Sequence, residues 1–405
     1  MRYATITDRT AGTGSAEKWA IHYAARRRAA AGEPIIEMTI GEPDVLPSPR
    51  ITKFLCERLR ASRFKYATLG AEDDILQALA RKYSERTGRQ ITPDNCVYVP
   101  GTQAALFTVM QALVQDGDEV LVPDPYYASY DGTIRAAGAE VVSVPLRYQN
   151  SFHLNIHDLE QAVTSRSRVV LLNSPHNPTG AVLSTTELRE IGAFCRKHDL
   201  WIVSDEVYES LCYVPFASPF DLSDLAERTI VISSISKSHA LPGLRCGWCV
   251  GPTEACTRLN AIADSIYFGS QPFLRDTAAF ALASNFPEVQ ELNASLKHRA
   301  AVAVDILSAS RELRCRPPEG GMFCMVDISP LGVSSLDFAW RLLEVEKVAV
   351  MPGTSFGRFS NNLIRVCLTV PEERLRTACS RIVALAGRMR DNRAQIAISH
   401  SPGQD

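Results

Sequence analysis

The middle of the chain alternates between short apolar runs and longer amphipathic stretches. The apolar runs are rich in β-branched residues and end in polar, Gly or Pro residues, at 118–125, 139–146, 167–175, 200–208 and 228–236. Between several of them lie stretches such as 184–199, which opens with a Ser/Thr cap and continues with apolar residues at helical spacing. This alternation predicts βαβ units, and therefore an α/β fold with a mostly parallel sheet and helices on both faces.

The pattern changes after residue 285. A long charged helix is predicted over 287–310, and the apolar segments that follow it predict a smaller α+β domain beside the large one. We expect four regions, namely an N-terminal arm with part of the small domain at 1–47, a large domain at 48–290, a small C-terminal domain at 291–390 and a flexible polar tail at 391–405.

Composition narrows the class of partner. Hydrophobic residues make up 46% of the 405 positions, and 43 basic side chains balance 45 acidic ones. A chain with so little net charge has no field that would attract nucleic acid or an anionic membrane, so a small molecule is the expected partner. Eleven scattered cysteines are typical of a reducing compartment. Because the sequence also shows no signal peptide and no membrane-spanning apolar run, we predict a cytoplasmic protein.

Two short motifs match catalytic patterns but lie in the wrong context. "GTSFG" (353–357) has the spacing of a hydrolase nucleophile, yet the Asp and His residues that follow it, Asp391, His400 and Asp405, all lie in the polar tail. "CGWC" (246–249) begins a predicted strand, whose alternate residues point to opposite faces, so two buried structural thiols are expected. The sequence contains no metal-binding or dinucleotide-binding motif, and we predict no metal site.

Residues that could bind a ligand lie where the predicted strands end. Gly101, Thr102 and Gln103 come just before an apolar helix, where free backbone N–H groups and the helix dipole attract an anion. A plain helix cap would use the same residues. "NSPHNPTG" (173–180) follows an apolar run and places Asn177 in a rigid turn. Because ligands of parallel sheets bind at the carboxyl ends of the strands, these segments predict a binding site.

A carboxylate and a lysine follow the next two strands. Asp205 ends a run that is predicted to be buried, where a carboxylate is costly unless a cation faces it, and Tyr208 is expected to share its pocket. A helix N-cap would explain Asp205 alone. Lys237 stands beside Arg245, and an amine that is desolvated near another cation becomes a nucleophile for a carbonyl. Arg245, with Ser234 or Ser236, would also satisfy a phosphate.

Together these segments resemble the class I and II aminotransferases, which are fold type I enzymes that depend on pyridoxal 5'-phosphate (PLP). The resemblance runs from about Ile40 to Val370, and its most specific motif is S-x-S-K followed by Arg and then Gly-Trp, within 234–248. It implies a large domain with a mostly parallel mixed sheet flanked by helices, and a smaller α+β domain. It also implies a ping-pong transfer of an amino group from an L-amino acid to a 2-oxo acid such as pyruvate, in a homodimer with shared active sites.

The resemblance assigns a role to each candidate residue. Lys237 would hold the cofactor aldehyde as a Schiff base and move the substrate proton, Asp205 would keep the pyridine nitrogen protonated, and Tyr208 would donate to the phenolic oxygen with Asn177. Tyr127, rather than Tyr126, would stack on the ring. The phosphate would be bound by Gly101, Thr102, Gln103, Ser234, Ser236, Arg245 and, from the other subunit, Tyr66. The substrate would be contacted by Gly41, Asn177 and Arg365, the last binding its carboxylate.

The donor is left open between several amino acids. "NSPHNPTGA", "SDEVYESL" and "GGMFCMVDI" are similar to segments of arginine–pyruvate transaminases, which favours a basic or guanidino donor. An aromatic or neutral donor is the alternative. A guanidino group would need a carboxylate, for which Glu42, Asp73 and Asp74 are candidates, although a solvated surface role suits each equally well. The segment 70–74 departs from the family pattern, as does "LPGLR" (241–245).

Two other classes of function share these residues. A lyase or decarboxylase of the same fold would keep Lys237, Asp205 and Asn177 but handle the substrate carbon differently. A PLP-binding regulator without catalysis is disfavoured because no DNA-binding segment precedes the domain and because Arg365, needed for turnover, is present.

Overall fold

The structure is a computed structural model that describes residues 2–11, 18–61, 64–65 and 74–399, with side chains described as far as residue 391. Its helices are α1 Thr5–Ala11, α2 Ala20–Ala30, α3 Pro49–Arg60, α4 Asp74–Thr87, α5 Thr102–Leu113, α6 Tyr130–Ala136, α7 Ile156–Ala162, α8 Thr185–Lys197, α9 Thr253–Tyr267, α10 Pro272–Ala283, α11 Pro287–Ser308, α12 Ser335–Arg341 and α13 Glu372–Ser399. Its strands are β1 Ile36–Met38, β2 Cys96–Val99, β3 Glu119–Asp124, β4 Glu140–Pro145, β5 Ser167–Asn173, β6 Trp201–Asp205, β7 Thr229–Ser234, β8 Gly247–Val250, β9 Arg314–Cys315, β10 Phe323–Asp327, β11 Val348–Pro352 and β12 Leu363–Cys367.

The larger sheet has seven strands in the order β2-β8-β7-β6-β5-β3-β4. All its strands run parallel except β8, which is antiparallel to both of its neighbours. Alternate residues of β5 enter different cores, with Val169 on the face of α5 and α9 and Val170 on the face of α8. The strand is apolar from Val169 to Leu172 because helices cover both faces there, as the alternating sequence pattern predicts. The α/β prediction is confirmed.

Local signals explain where several helices begin. Ser184 accepts from the Glu187 N–H and the Glu187 carboxylate accepts from the Ser184 N–H, which together form a capping box at the start of α8. Ser48 caps α3, whose first residue is a proline. The predicted helices at 184–199 and 287–310 correspond to α8 and α11.

The smaller sheet has five strands in the order β1-β11-β12-β10-β9. β1 comes from the N-terminal part of the chain and pairs parallel to β11, whereas the other neighbours are antiparallel. Its core packs against α11 and α13, and α11 spans the predicted boundary at 290. The backbone of α13 stays helical to residue 399, so the predicted tail at 391–405 begins inside this helix. The four domain boundaries remain predictions.

The register of the larger sheet fixes where the polar strand ends lie. Asn173 pairs with Asp205 across β5 and β6, and Asp205 pairs with Ile232 across β6 and β7. The carboxyl ends of three neighbouring strands therefore meet at one edge.

In the described part of the chain, no helix is both long and apolar enough to cross a membrane.

Candidate active site

A cavity of about 190 Å³ lies at the carboxyl edge of the larger sheet and is closed on one side by the smaller sheet. Twelve of the residues predicted from the sequence line it: Gly41, Thr102, Gln103, Tyr127, Asn177, Asp205, Tyr208, Ser234, Ser236, Lys237, Arg245 and Arg365. Gly101 adjoins them as the residue before α5, and Tyr66 lies outside the described residues. The fold thus brings segments that are far apart in the sequence to one place.

Lys237 follows β7 and points its amine into the cavity. Its Nζ donates to the Gly41 carbonyl oxygen at 2.7 Å. Burial lowers the pKa of Lys237, and the charges of Arg365 and Arg245 lower it further, while Cys367 and Glu42 oppose them. A lowered pKa makes the neutral amine more accessible, which is the form that attacks a carbonyl.

Asp205 is a buried carboxylate at the end of β6. Its Oδ2 accepts from the Tyr130 hydroxyl at 2.6 Å, and its Oδ1 accepts from the Val207 N–H at 3.2 Å. Burial raises the pKa of Asp205 to about 6, although the Tyr130 hydrogen bond and the charge of Lys237 act in the opposite direction. The group is therefore a carboxyl whose ionisation depends on the polar partners that face it.

Two asparagines tie the strand ends together next to Tyr208. The Asn173 amide donates to the Asp205 carbonyl oxygen at 2.9 Å, and the Asn173 amide oxygen accepts from the Asn177 N–H at 2.7 Å. The Asn177 amide in turn donates to the Tyr208 hydroxyl at 3.4 Å. Burial raises the pKa of Tyr208, so the phenol stays protonated and can donate a hydrogen bond into the cavity.

The start of α5 forms one end of the cavity. Gly101 precedes the helix with φ 91°, and no side chain caps the first N–H groups. A Cβ at Gly101 would lie 2.4 Å from Arg245 Nη2, so only glycine lets the guanidinium approach this turn. The Thr102 hydroxyl is buried without a hydrogen-bond partner among the described atoms. Free N–H groups, a hydroxyl and a cation therefore converge, which suits a phosphate.

Two other residues near the start of α5, Gln103 and Ser234, already have hydrogen-bond partners within the protein. The Gln103 amide binds Ser129 and Thr133, at 2.7 and 2.6 Å, so the side chain of Gln103 already has partners. Ser234 accepts from the Ser236 N–H at 3.3 Å. The role expected for Gln103 is thus left to its backbone.

Arg365 lies on β12, in the wall that the smaller sheet contributes. The guanidinium is sandwiched between Phe323 and Phe356, with its central carbon 4.2 and 4.6 Å from the two ring centroids. Nη1 donates to the Asn177 amide oxygen at 2.9 Å, Nη2 donates to the Thr39 carbonyl, and Nε is buried without a partner among the described atoms. The flat group is fixed in orientation, as bidentate recognition of a carboxylate requires.

The structure also places residues at the site that the sequence did not single out. Tyr130 binds Asp205 directly, and Asn173 supports Asn177, while Trp19, Ile40 and Phe323 line the cavity. Spacing carried a signal for Tyr130, because it lies three residues after Tyr127 and so shares the same side of a helical turn. Its ring meets that of Tyr127 edge-on, with centroids 5.6 Å apart.

The acidic residues considered for a guanidino group do not line the cavity. Glu42 and Asp74 are exposed and outside its lining, and Asp73 lies outside the described residues. Of the two adjacent tyrosines, Tyr127 lines the cavity and Tyr126 is buried elsewhere. Asp74 begins α4, where an exposed carboxylate interacts favourably with the helix dipole.

The two motifs that match catalytic patterns, "GTSFG" and "CGWC", place their Ser and Cys side chains in the interior of the fold. Ser355 of "GTSFG" is buried, and its hydroxyl donates to the Lys18 carbonyl at 2.7 Å. Cys246 and Cys249 are buried free thiols around the start of β8. Among the described residues, no cluster of His, Cys, Asp and Glu could hold a metal ion.

Comparison with known proteins agrees with this geometry. The family model for aminotransferases of class I and II matches residues 33–382. The chain is 38% identical to the arginine–pyruvate transaminase of Pseudomonas aeruginosa over 96% of its own length and 99% of that protein. It is 30% identical to an aspartate aminotransferase of Geobacillus stearothermophilus, over 90% of this chain and 94% of that one.

Solved structures give the same result. The aspartate aminotransferase of Rhizobium meliloti superposes with a TM-score of 0.89 at 28% identity, covering 96% of this chain and 99% of that one. The aromatic aminotransferase of Pyrococcus horikoshii superposes with a TM-score of 0.85 at 29% identity, covering 90% and 99%.

Proposed function

The chain belongs to the class I and II aminotransferases, and from that premise we propose that its cavity binds PLP and that its donor is a basic or guanidino L-amino acid. The observation that carries the proposal is the convergence of the Lys237 amine, the buried Asp205 carboxylate and the anion site at Gly101 on one cavity. Each of these fits one part of PLP, namely its aldehyde, its pyridine nitrogen and its phosphate.

The residues fit the cofactor chemically. In the proposal, the N–H groups at the start of α5 bind the phosphate together with the Thr102 hydroxyl, which is buried and unpartnered among the described atoms. The further phosphate ligands are Ser234, Ser236 and Arg245. Tyr127 covers the ring, and Tyr66 reaches the phosphate of the other subunit in a homodimer.

The protein's own groups then control protons. When bound, PLP supplies an aldehyde that captures the amino group and a ring that withdraws electrons from the substrate carbon. The Lys237 amine, with its lowered pKa, removes and returns the proton at that carbon. Asp205 holds a proton at the ring nitrogen, while Tyr208 and Asn177 donate to the phenolic oxygen. Arg365 orients the substrate through its carboxylate, beside Gly41.

The choice of donor rests on the Pseudomonas relative, which is named for arginine and pyruvate. A 2-oxo acid such as pyruvate is the proposed acceptor. An aromatic or neutral donor is the second candidate, because the Pyrococcus structure is that of an aromatic aminotransferase. We place the enzyme in the cytoplasm, which its eleven free cysteines suit.

A half-reaction screen tests the proposal. PLP-loaded enzyme is mixed with each common amino acid and with guanidino analogues, without an acceptor, and the loss of the cofactor's visible band is followed. We expect L-arginine to react fastest and to yield one equivalent of its 2-oxo acid per site. Release of carbon dioxide would instead indicate a decarboxylase, and no reaction with any amino acid would indicate a regulator.

Covalent labelling tests the lysine in the same preparation. Borohydride reduction is expected to fix PLP to Lys237, and the label should disappear in Lys237→Ala although the phosphate site still binds the cofactor. A label on another lysine would overturn the assignment of the site.

A further inference from the structure

Part of the cavity wall has no role in the proposed binding of PLP or of the substrate carboxylate. Among the described lining residues, Asn173 and Tyr130 are engaged with Asp205 or Asn177, and Phe323 covers Arg365. The lining residues without an assigned role are Trp19, Ile40, Leu106, Val207 and Pro242, and Trp19 is the aromatic residue among them. A donor that is held by its carboxylate and its amino group must direct its side chain toward such an unassigned wall.

Trp19 is held at this wall from both sides. The Lys18 carbonyl accepts from the buried Ser355 hydroxyl at 2.7 Å, and Lys18 Nζ lies 3.5 Å from the Asp131 carboxylate on α6. The carbonyl of Trp19 accepts from the Tyr23 N–H at 3.0 Å at the start of α2. The backbone at Lys18 and Trp19 is therefore held by Ser355 and by α2, and Trp19 lines the cavity.

The face of the indole is also suitable for contact. The nearby His22 ring lies at 74° to it with centroids 6.0 Å apart, so His22 does not stack on the indole. Trp19 is half-buried, which lets a ligand reach it from the cavity. Tryptophan presents the strongest cation-binding face of the aromatic side chains, and guanidinium is the cation that stacks on it best.

The described cavity lining has no carboxylate to spare for a cationic donor. Three cations, Lys237, Arg245 and Arg365, line it together with one described carboxylate, Asp205, which is committed to the pyridine nitrogen. A bound phosphate offsets about two of these charges. With Asp205 committed, the described lining offers no other carboxylate to a cationic side chain, and an aromatic face is a group that can attract it there.

We propose that Trp19 is a specificity-determining residue, and that its indole face stacks on the planar cationic end of the donor side chain. The inference rests on the proposed guanidino donor and adds the group that recognises it. In this proposal Trp19 takes the role considered from the sequence for Glu42 and Asp74, which lie outside the cavity lining.

The test compares two substitutions in the holoenzyme. Trp19→Phe keeps an aromatic face, whereas Trp19→Leu keeps apolar volume without one. Single-turnover half-reactions are measured with L-arginine, with L-citrulline, which has the same length but a neutral planar end, and with L-alanine. Tyr23→Leu is the matched control, because Tyr23 is an aromatic residue on α2, four positions after Trp19, that is 55% exposed and lies outside the cavity lining.

The measured quantity is the single-turnover rate constant divided by the dissociation constant of the amino acid. We expect Trp19→Leu to lower this ratio for arginine about tenfold relative to alanine. Citrulline should lose less than arginine, Trp19→Phe should stay within about threefold of the wild type, and Tyr23→Leu should change nothing. An unchanged arginine-to-alanine ratio in Trp19→Leu would overturn the role of Trp19 while leaving the donor proposal intact. A wild type that does not prefer arginine to citrulline and alanine would overturn the guanidino donor, and this inference with it.

Discussion

The hydrogen bond from Tyr130 to Asp205 controls when the buried carboxyl ionises. We consider Tyr130→Phe, which removes the hydroxyl and leaves the ring in its edge-on contact with Tyr127. The phenol donates to an ionised oxygen at 2.6 Å, whereas the remaining backbone donor, Val207, is 3.2 Å away. The substitution therefore withdraws the shorter of two hydrogen bonds that favour the charged form of Asp205.

The size of the effect follows from the strength of such bonds. A hydrogen bond to a charged group contributes about 1.5–3 kcal/mol, and about 1.4 kcal/mol corresponds to one pKa unit. The pKa of Asp205 is already raised to about 6 by burial. Loss of the hydroxyl destabilises only the ionised form, so the pKa of Asp205 should rise by about one to two units, toward or above neutral pH.

Infrared difference spectroscopy of the cofactor-free protein measures this directly. The carbonyl stretch of a protonated carboxyl is followed against pH in Tyr130→Phe, and the same protein with Asp205→Asn added serves as the blank. Stability provides a second check: the substitution should cost little at pH 5, where Asp205 is protonated in either protein, and more at pH 8. A pKa of Asp205 that stays within 0.3 units, on the scale of about 1.4 kcal/mol per unit, would refute the reasoning.

Three further changes have defined outcomes. Arg365→Lys keeps the charge but loses the planar fork, so kcat/KM should fall about ten- to a hundredfold, and a normal half-reaction rate in a destabilised variant would remove Arg365 from the site. Arg86→Met leaves the fully buried Glu206 without the guanidinium 2.9 Å away and should cost about 3–5 kcal/mol in chemical unfolding; a cost below about 1 kcal/mol would contradict a buried ion pair. His153 lies between two glutamates that raise its pKa to about 10, so the stability it adds should be complete below about pH 6.5 and disappear as the pH rises through 10, a profile that His153→Gln should lack.

The sequence was sufficient to predict the strand ends and many of the residues that line the cavity. β5, β6 and β7 each have an apolar central run; Asp205 ends β6, and Asn177 and Lys237 lie within four residues of the ends of β5 and β7. Such runs are recognisable without tertiary information because burial on both faces excludes polar residues. The positions of these residues in one cavity then follow from the parallel arrangement.

Other contacts depend on packing that no local pattern encodes. Tyr130 donates to a carboxylate 75 positions away, and Ser355 binds the carbonyl of Lys18, 337 positions earlier and next to the cavity residue Trp19. The sequence "DPYYASY" contains three tyrosines, and nothing in its local pattern indicates which hydroxyl binds Asp205. The exposed start of α4 likewise shows why Asp74 was a poor candidate, since its charge suited a helix terminus as well as a ligand.

The paired register of β5, β6 and β7 has a consequence for how chain length can vary. Asn173 and Asp205 face each other because each strand has its present number of residues. A deletion of one residue inside β6 would turn the Asp205 side chain to the opposite face and leave a charge in the core. At the amino ends of the strands, the turn before β6 contains Asp199, whose side chain is fully exposed, so an insertion there costs mainly the entropy of a longer loop. Insertions and deletions should therefore be tolerated at the amino ends of the strands, and they should be absent from the strands that end in the cavity.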